Sequence, residues 1–123
     1  MALPKHQRNR IDQFSGDYPI TVGRTYLVGG MMISEGRLLF LVRDDEGDPV
    51  FVPAAFFDVV AREVPKGWMF SLAAGNRIAD EELWNFPVSA LWGYPEFVRE
   101  VRHIADLGEG DSRALAVFDR YLP

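Results

Sequence analysis

From Arg24 to Leu72 short apolar runs alternate with tight polar interruptions. Residues 25–33 are mostly apolar, and Ser34-Glu35-Gly36 breaks them. Residues 37–43 are apolar again, until Asp44-Asp45-Glu46-Gly47-Asp48 intervenes. Residues 49–53 follow, 54–57 form a short corner, 59–64 resume, Pro65-Lys66-Gly67 turns, and 68–72 close the series. Five short strands at this spacing predict a small antiparallel β-barrel or rolled sheet. Gly36 supplies positive φ for the first hairpin, and Gly47 is expected in a left-handed conformation in the second. Leu38-Leu39-Phe40-Leu41-Val42 is apolar without alternation, the pattern of a strand covered on both faces.

The remainder of the chain has to provide that cover. Residues 73–92 predict an irregular excursion, with Gly75-Asn76 as a turn signal and Asp80-Glu81-Glu82-Leu83-Trp84 as one helical turn with acidic residues at its start. Gly93-Tyr94-Pro95-Glu96 opens a helix with Pro95 at its first position. Phe97, Val101, Ile104 and Ala105 fall on one stripe, and Gly108 is placed to end that helix. Asp111 is the expected N-cap of a second helix, along which Leu115, Phe118 and Leu122 recur. The fold class is therefore α+β: a β-roll over residues 24–72, the excursion, and two C-terminal helices over 95–122. Residues 1–17 read as a polar, mobile arm joining this single domain, residues 18–123, near Tyr18-Pro19.

Composition fits that outline. At 123 residues, 48% hydrophobic and 13% aromatic, the chain can build one core without crosslinks. It has no cysteine, so disulfides, thiolate metal sites and cysteine nucleophiles are excluded. No secretory h-region follows the basic N-terminus, and no apolar run approaches the roughly 20 residues of a bilayer span. A cytoplasmic protein without membrane association is expected. The net charge of −5 is unevenly spread. Lys5, Arg8, Arg10 and Arg24 outnumber Asp12 and Asp17 in the first 24 residues, whereas in residues 25–123 acidic groups outnumber basic ones, 16 to 9. An acidic body argues against phosphate-backbone binding and favours a basic protein partner through electrostatic steering.

Candidate chemistry is sparse. His6 and His103 are the only histidines, and no second imidazole or HExxH stands near either. His103, on the first helix beside Arg102, is expected at the surface. In Asp44-Asp45-Glu46-Gly47-Asp48 the EF-hand pattern fails, because its twelfth position is Ala55. The carboxylates are first turn chemistry, with a partner-binding role for Asp44, Asp45, Glu46 and Asp48 as the functional reading. Asp80, Glu81 and Glu82 form a second acidic cluster, read either as helix-start charge or as part of the same negative surface. Trp68 is expected in the core. Trp84 and Trp92 are expected to plug the barrel end or to anchor an interface. Gly29-Gly30 has no phosphate-loop spacing, and no GxSxG is present. The reading predicts no catalytic residues, no cofactor and no metal.

Taken as one string, residues 25–118 resemble a group of small bacterial immunity proteins encoded beside polymorphic or contact-dependent toxins. The likeness rests on Asp44-Asp45, Gly47 and Pro49, then Pro53, Phe57 and Val59, then Pro65 and Trp68, then Gly93-Tyr94-Pro95-Glu96, and last Ala114-Leu115 with Phe118. It implies an SH3-like β-roll with short helices, acting without catalysis as an antitoxin that binds and blocks a cognate toxin such as a nuclease. The resemblance carries over no functional residues. Asp44, Asp45, Glu46, Asp48, Asp80, Glu81, Glu82 and Trp84 are the partner-binding expectation from the residues themselves. The alternative is an SH3-like adaptor that binds a peptide or nucleic acid through an aromatic groove or a basic stripe.

Overall fold

A computed structural model of the chain describes the backbone of residues 2–4 and, with side chains, residues 18–72, 88–100 and 102–123. Its order is β1 (Ala2–Pro4), β2 (Gly30–Ser34), β3 (Arg37–Arg43), β4 (Pro49–Pro53), a 3-10 turn (Ala54–Phe56), β5 (Phe57–Val59), β6 (Met69–Leu72), β7 (Ala90–Gly93), α1 (Pro95–Arg99), α2 (His103–Gly108) and α3 (Ser112–Tyr121). The protein is α+β. Five strands pair antiparallel in the order β4-β3-β2-β7-β6, and β1 pairs separately with β5. Of the two expected forms, barrel or roll, the sheet takes the open one and does not close.

Several boundaries match the hydrophobic pattern. β3, β4 and the corner after β4 occupy the anticipated positions. The first hairpin turns on Glu35 (φ 51°) and Gly36 (φ 77°), left-handed at both central residues as a type I′ turn requires. Asp111 caps α3 by accepting from the Ala114 amide at 3.0 Å.

Other expectations are corrected. The expected strand over residues 59–64 is replaced by β5 with an exposed, irregular stretch after it. Residues 90–92 belong to β7 rather than to an irregular excursion, and β7 lies between β2 and β6. Part of the expected N-terminal arm, Ala2–Pro4, is paired with β5. The single helix expected from Pro95 to Gly108 is divided, because Glu100 takes an extended conformation (φ −93°, ψ 111°). Gly110 (φ 74°), not Gly108, supplies the left-handed residue after α2. There the Asp111 amide donates to the Asp106 carbonyl and the Gly110 amide to the Leu107 carbonyl, the paired bonds of a Schellman ending.

The unbroken apolar run of β3 is explained by two cores. Leu39 and Leu41 face the helices, where Met32, Leu91, Phe97, Phe118 and Leu122 are buried. Phe40 and Val42 face the other side, under Tyr18, Ile20, Tyr26, Phe56 and Phe57. Close approach on the helical side needs Gly29 and Gly30. A methyl group on Gly30 would come within 2.7 Å of the Phe97 ring, and one on Gly29 would run into Leu122. Across the opposite face, Val52, Phe40, Met31, Trp92 and Phe70 are register neighbours in one row. Cover thins along it, from fully buried Val52 to Phe70 at 51% exposed. Among the described residues, no helix is long and apolar enough to cross a membrane.

Candidate protein-binding surface

The β3–β4 turn is built by its own first carboxylate. Asp44 is buried, and its Oδ1 accepts from the amides of Glu46 (2.8 Å) and Asp48 (2.9 Å). The Gly47 amide, from a residue at φ 90°, donates to the Asp44 carbonyl at 3.0 Å. A short polar side chain that satisfies the next amides is the reason Asp is favoured at such a position.

Asp45 points the other way and holds the segment before β2. It accepts from the hydroxyls of Thr21 and Tyr26 (Tyr26 at 2.7 Å) and from Arg24 Nη1 at 2.7 Å. Its amide donates to the Pro19 carbonyl at 2.9 Å. Burial alone would raise the Asp45 pKa, but the hydroxyls of Thr21 and Tyr26 and the Arg24 charge outweigh it and hold the group below its ordinary value. Burial and the Asp45 carboxylate push the Tyr26 hydroxyl up.

Arg43 fastens the same turn to α3. Nη1 donates to the Gly47 carbonyl at 2.9 Å, and Nη2 donates to Asp119 and to the Leu122 carbonyl, each at 2.6 Å. The guanidinium also lies over the Phe118 ring at 4.9 Å. Asp44 is therefore buried and Asp45, though exposed, is held by side chains of its own fold, while Glu46 and Asp48 stand exposed on a turn secured from two sides. One carboxylate oxygen each from Asp44, Glu46 and Asp48 lie within 4.8 Å of one another, so negative potential is concentrated at the tip. Asp80, Glu81, Glu82 and Trp84 lie outside the described residues.

A second surface feature is apolar. Leu27, Pro65, Trp68, Tyr94, Pro95 and Tyr121 line a groove of about 270 Å³. Trp68, expected in the core, is only half-buried and forms part of this wall. The Tyr121 ring stacks on Tyr94 (centroids 4.4 Å apart, planes 6° apart), and its hydroxyl donates to Glu96 at 2.9 Å. That hydrogen bond raises the Tyr121 pKa. Leu27 also lines an adjacent depression with Arg24, Arg43 and Asp44. Trp92 is in the sheet, against Phe70 at 4.8 Å.

His103, expected at the surface, is buried at 3% exposure, with Nε2 2.6 Å from the Tyr94 hydroxyl. With the ring neutral and Nδ1 protonated, the phenol donates and Nε2 accepts; in the other tautomer Nε2 donates to the phenol oxygen. The break at Glu100 makes this contact possible. In one straight helix, nine residues would separate the two side chains by about 13 Å along the axis and place them on opposite sides. Burial pushes the His103 pKa down against the opposing pull of Glu100, Glu96 and Asp106. Burial also drives the Tyr94 hydroxyl far above its ordinary value. The pair holds α2 beneath Tyr94 and, with both members almost fully covered, serves packing.

The periodicity that placed Phe97 and Ile104 on one stripe carried no sign of this contact, nor of the groove. The groove joins parts of the chain distant in sequence, 27–29, 65–68, 94–95 and 121. No family model, curated protein or solved structure matches this chain.

Proposed function

We propose that this chain is a non-catalytic binding protein of the immunity type, which holds and neutralises a basic protein toxin, a nuclease being one such partner. The observation that carries the reading is the locked acidic turn. Asp44 fixes its backbone, Asp45 and Arg43 tie it to two other parts of the fold, and Glu46 and Asp48 are left facing outward. A turn held in place before binding has little conformational entropy left to lose, and concentrated negative charge speeds the approach of a basic partner. The Asp80-Glu81-Glu82 cluster extends the acidic character in sequence.

The test is co-purification of the full chain with the product of the adjacent gene. It is repeated with Glu46→Gln/Asp48→Asn, and again with Asp80, Glu81 and Glu82 neutralised as well. Binding that weakens with each neutralisation and with rising salt is expected. Undiminished binding by the neutralised variants overturns the site, and no binding by the wild type overturns the function. The adaptor reading draws support from the aromatic groove. It predicts that unrelated short peptides bind while the adjacent gene's product does not.

A further inference from the structure

We infer that the groove between Trp68 and Tyr121 is a small-molecule site, and that it takes a planar aromatic ring system carrying one carboxylate. The site is separate from the acidic turn, and it stands or falls independently of the protein partner proposed above.

The lining is that of a ligand pocket. Trp68, Tyr94 and Tyr121 supply rings, and Leu27, Pro65 and Pro95 supply further apolar surface. Small-molecule sites are mostly apolar in this way, with a few polar groups that fix orientation. Size narrows the ligand. An apolar cavity of about 150 Å³ holds one benzene ring. The groove, at about 270 Å³, has room for a body of about two rings. Its walls are fixed in advance. Tyr121 lies flat on Tyr94, their planes 6° apart, and donates to Glu96, while Tyr94 is held by His103. Flat, preformed walls favour a rigid planar ligand over a flexible chain, which loses more entropy on binding.

The polar groups select the charge. Among the described residues, the polar side chains of the lining are Lys66, Trp68, Tyr94 and Tyr121. Tyr121 is engaged with Glu96 and Tyr94 with His103. Neither the Lys66 ammonium nor the Trp68 indole N–H has a partner among the described residues. Both can only donate, so the group that matches them accepts, and the ammonium makes an anion the better acceptor. Charges nearby are already met. Glu96 faces Arg120 at 3.3 Å as well as Tyr121. In the depression beyond Leu27, Arg24 is paired with Asp45, and Asp44 is turned to the amides of Glu46 and Asp48. Charges more than about 8 Å away are largely screened at physiological salt, so the net −5 of the chain weighs less than the exposed ammonium in the lining.

Naphthylacetate, naphthylethanol and naphthylethylammonium share one ring body and differ in charge. Each is titrated by NMR into the full isotope-labelled chain. The readouts are the Trp68 indole N–H, assigned through Trp68→Phe, and the amides of 27–29, with the amides of 44–48 as the control. Naphthylacetate is expected to shift the groove signals with a Kd of about 0.1–1 mM. It should bind about 5-fold more tightly than the alcohol, with the ammonium weakest. Lys66→Gln should bring the acetate to the affinity of the alcohol and leave the alcohol unchanged. Lys66→Glu should reverse the order of acetate and ammonium. Both variants change an exposed side chain, so the core is untouched. Octanoate, a flexible carboxylate, should bind more weakly than naphthylacetate. Absent groove shifts, equal affinities for acetate and ammonium, or an unchanged order in Lys66→Glu overturn the inference. So does tighter binding of octanoate, which makes the site one for acyl chains. Groove shifts that depend on protein concentration without ligand also overturn it, because a second copy is then the occupant.

Discussion

Replacing Tyr94 with phenylalanine removes one oxygen from the centre of the helical layer and tests the account of the Tyr94–His103 pair. Tyr94 is 1% exposed and His103 3%, and their hydrogen bond spans 2.6 Å. The phenylalanine ring would keep the neighbours of Tyr94, Tyr121 at 4.4 Å and Phe97 at 5.8 Å, so the packing loss is small. What changes is His103 Nε2, left buried without this partner. An abandoned buried hydrogen-bonding group costs about 1–3 kcal/mol, a fall in Tm of roughly 3–15 °C for a chain of this size. The imidazole also makes stability depend on pH. Its folded pKa lies below the ordinary value of 6.5, so folding favours the neutral ring. The contribution is complete above that pH and is lost progressively as pH falls from 6.5 toward the depressed folded value. Urea unfolding of wild type, Tyr94→Phe, His103→Leu and the double variant, from about pH 5 to about pH 8, measures both effects. The double variant should be more stable than the sum of the single losses implies, by about 0.5–3 kcal/mol. His103→Leu should flatten part of the acid-side slope. Tyr94→Phe with wild-type stability, or a His103→Leu slope equal to that of wild type, would refute the reasoning.

Two further outcomes follow from the packing and the turn. Gly30→Ala should lower stability by about 1–3 kcal/mol, because the new methyl meets the fully buried Phe97 ring at 2.7 Å; unchanged thermal unfolding would show that the helix layer can shift aside. Asp45→Asn should loosen residues 18–26, read as faster amide exchange at Thr21, and cost about 1–2 kcal/mol at neutral pH. Because the Asp45 pKa is held below 3.8, its contribution is present above that pH and lost as pH falls through the depressed value, so wild type and variant should converge in strong acid.

What could be read along the chain was local. Turn residues placed the Glu35-Gly36 hairpin and the left-handed Gly47, Pro95 opened α1 and Asp111 capped α3, because each acts on backbone within four residues of itself. The unalternated run of β3 announced a strand covered on both faces, since apolar residues on both sides of a pleat demand two cores. The acidic turn was legible as composition, but the engagement of Asp45, which leaves Glu46 and Asp48 as the outward carboxylates, was not, because its partners Arg24 and Tyr26 lie some twenty residues away.

The rest depended on distant pairings. Ala90-Leu91-Trp92 becomes a strand through partners about sixty residues earlier in β2, a reward that propensity in a four-residue window does not register. The stripe from Phe97 to Ile104 reads as one helix, yet Tyr94 and His103 can meet only if the helix stops at Arg99. Sequence by itself determined the α+β class, the hairpins and the caps. Tertiary structure alone decided the sheet order, the burial of His103 and the groove at Trp68 and Tyr121, because those come from contacts between residues too far apart in the chain for local chemistry to specify.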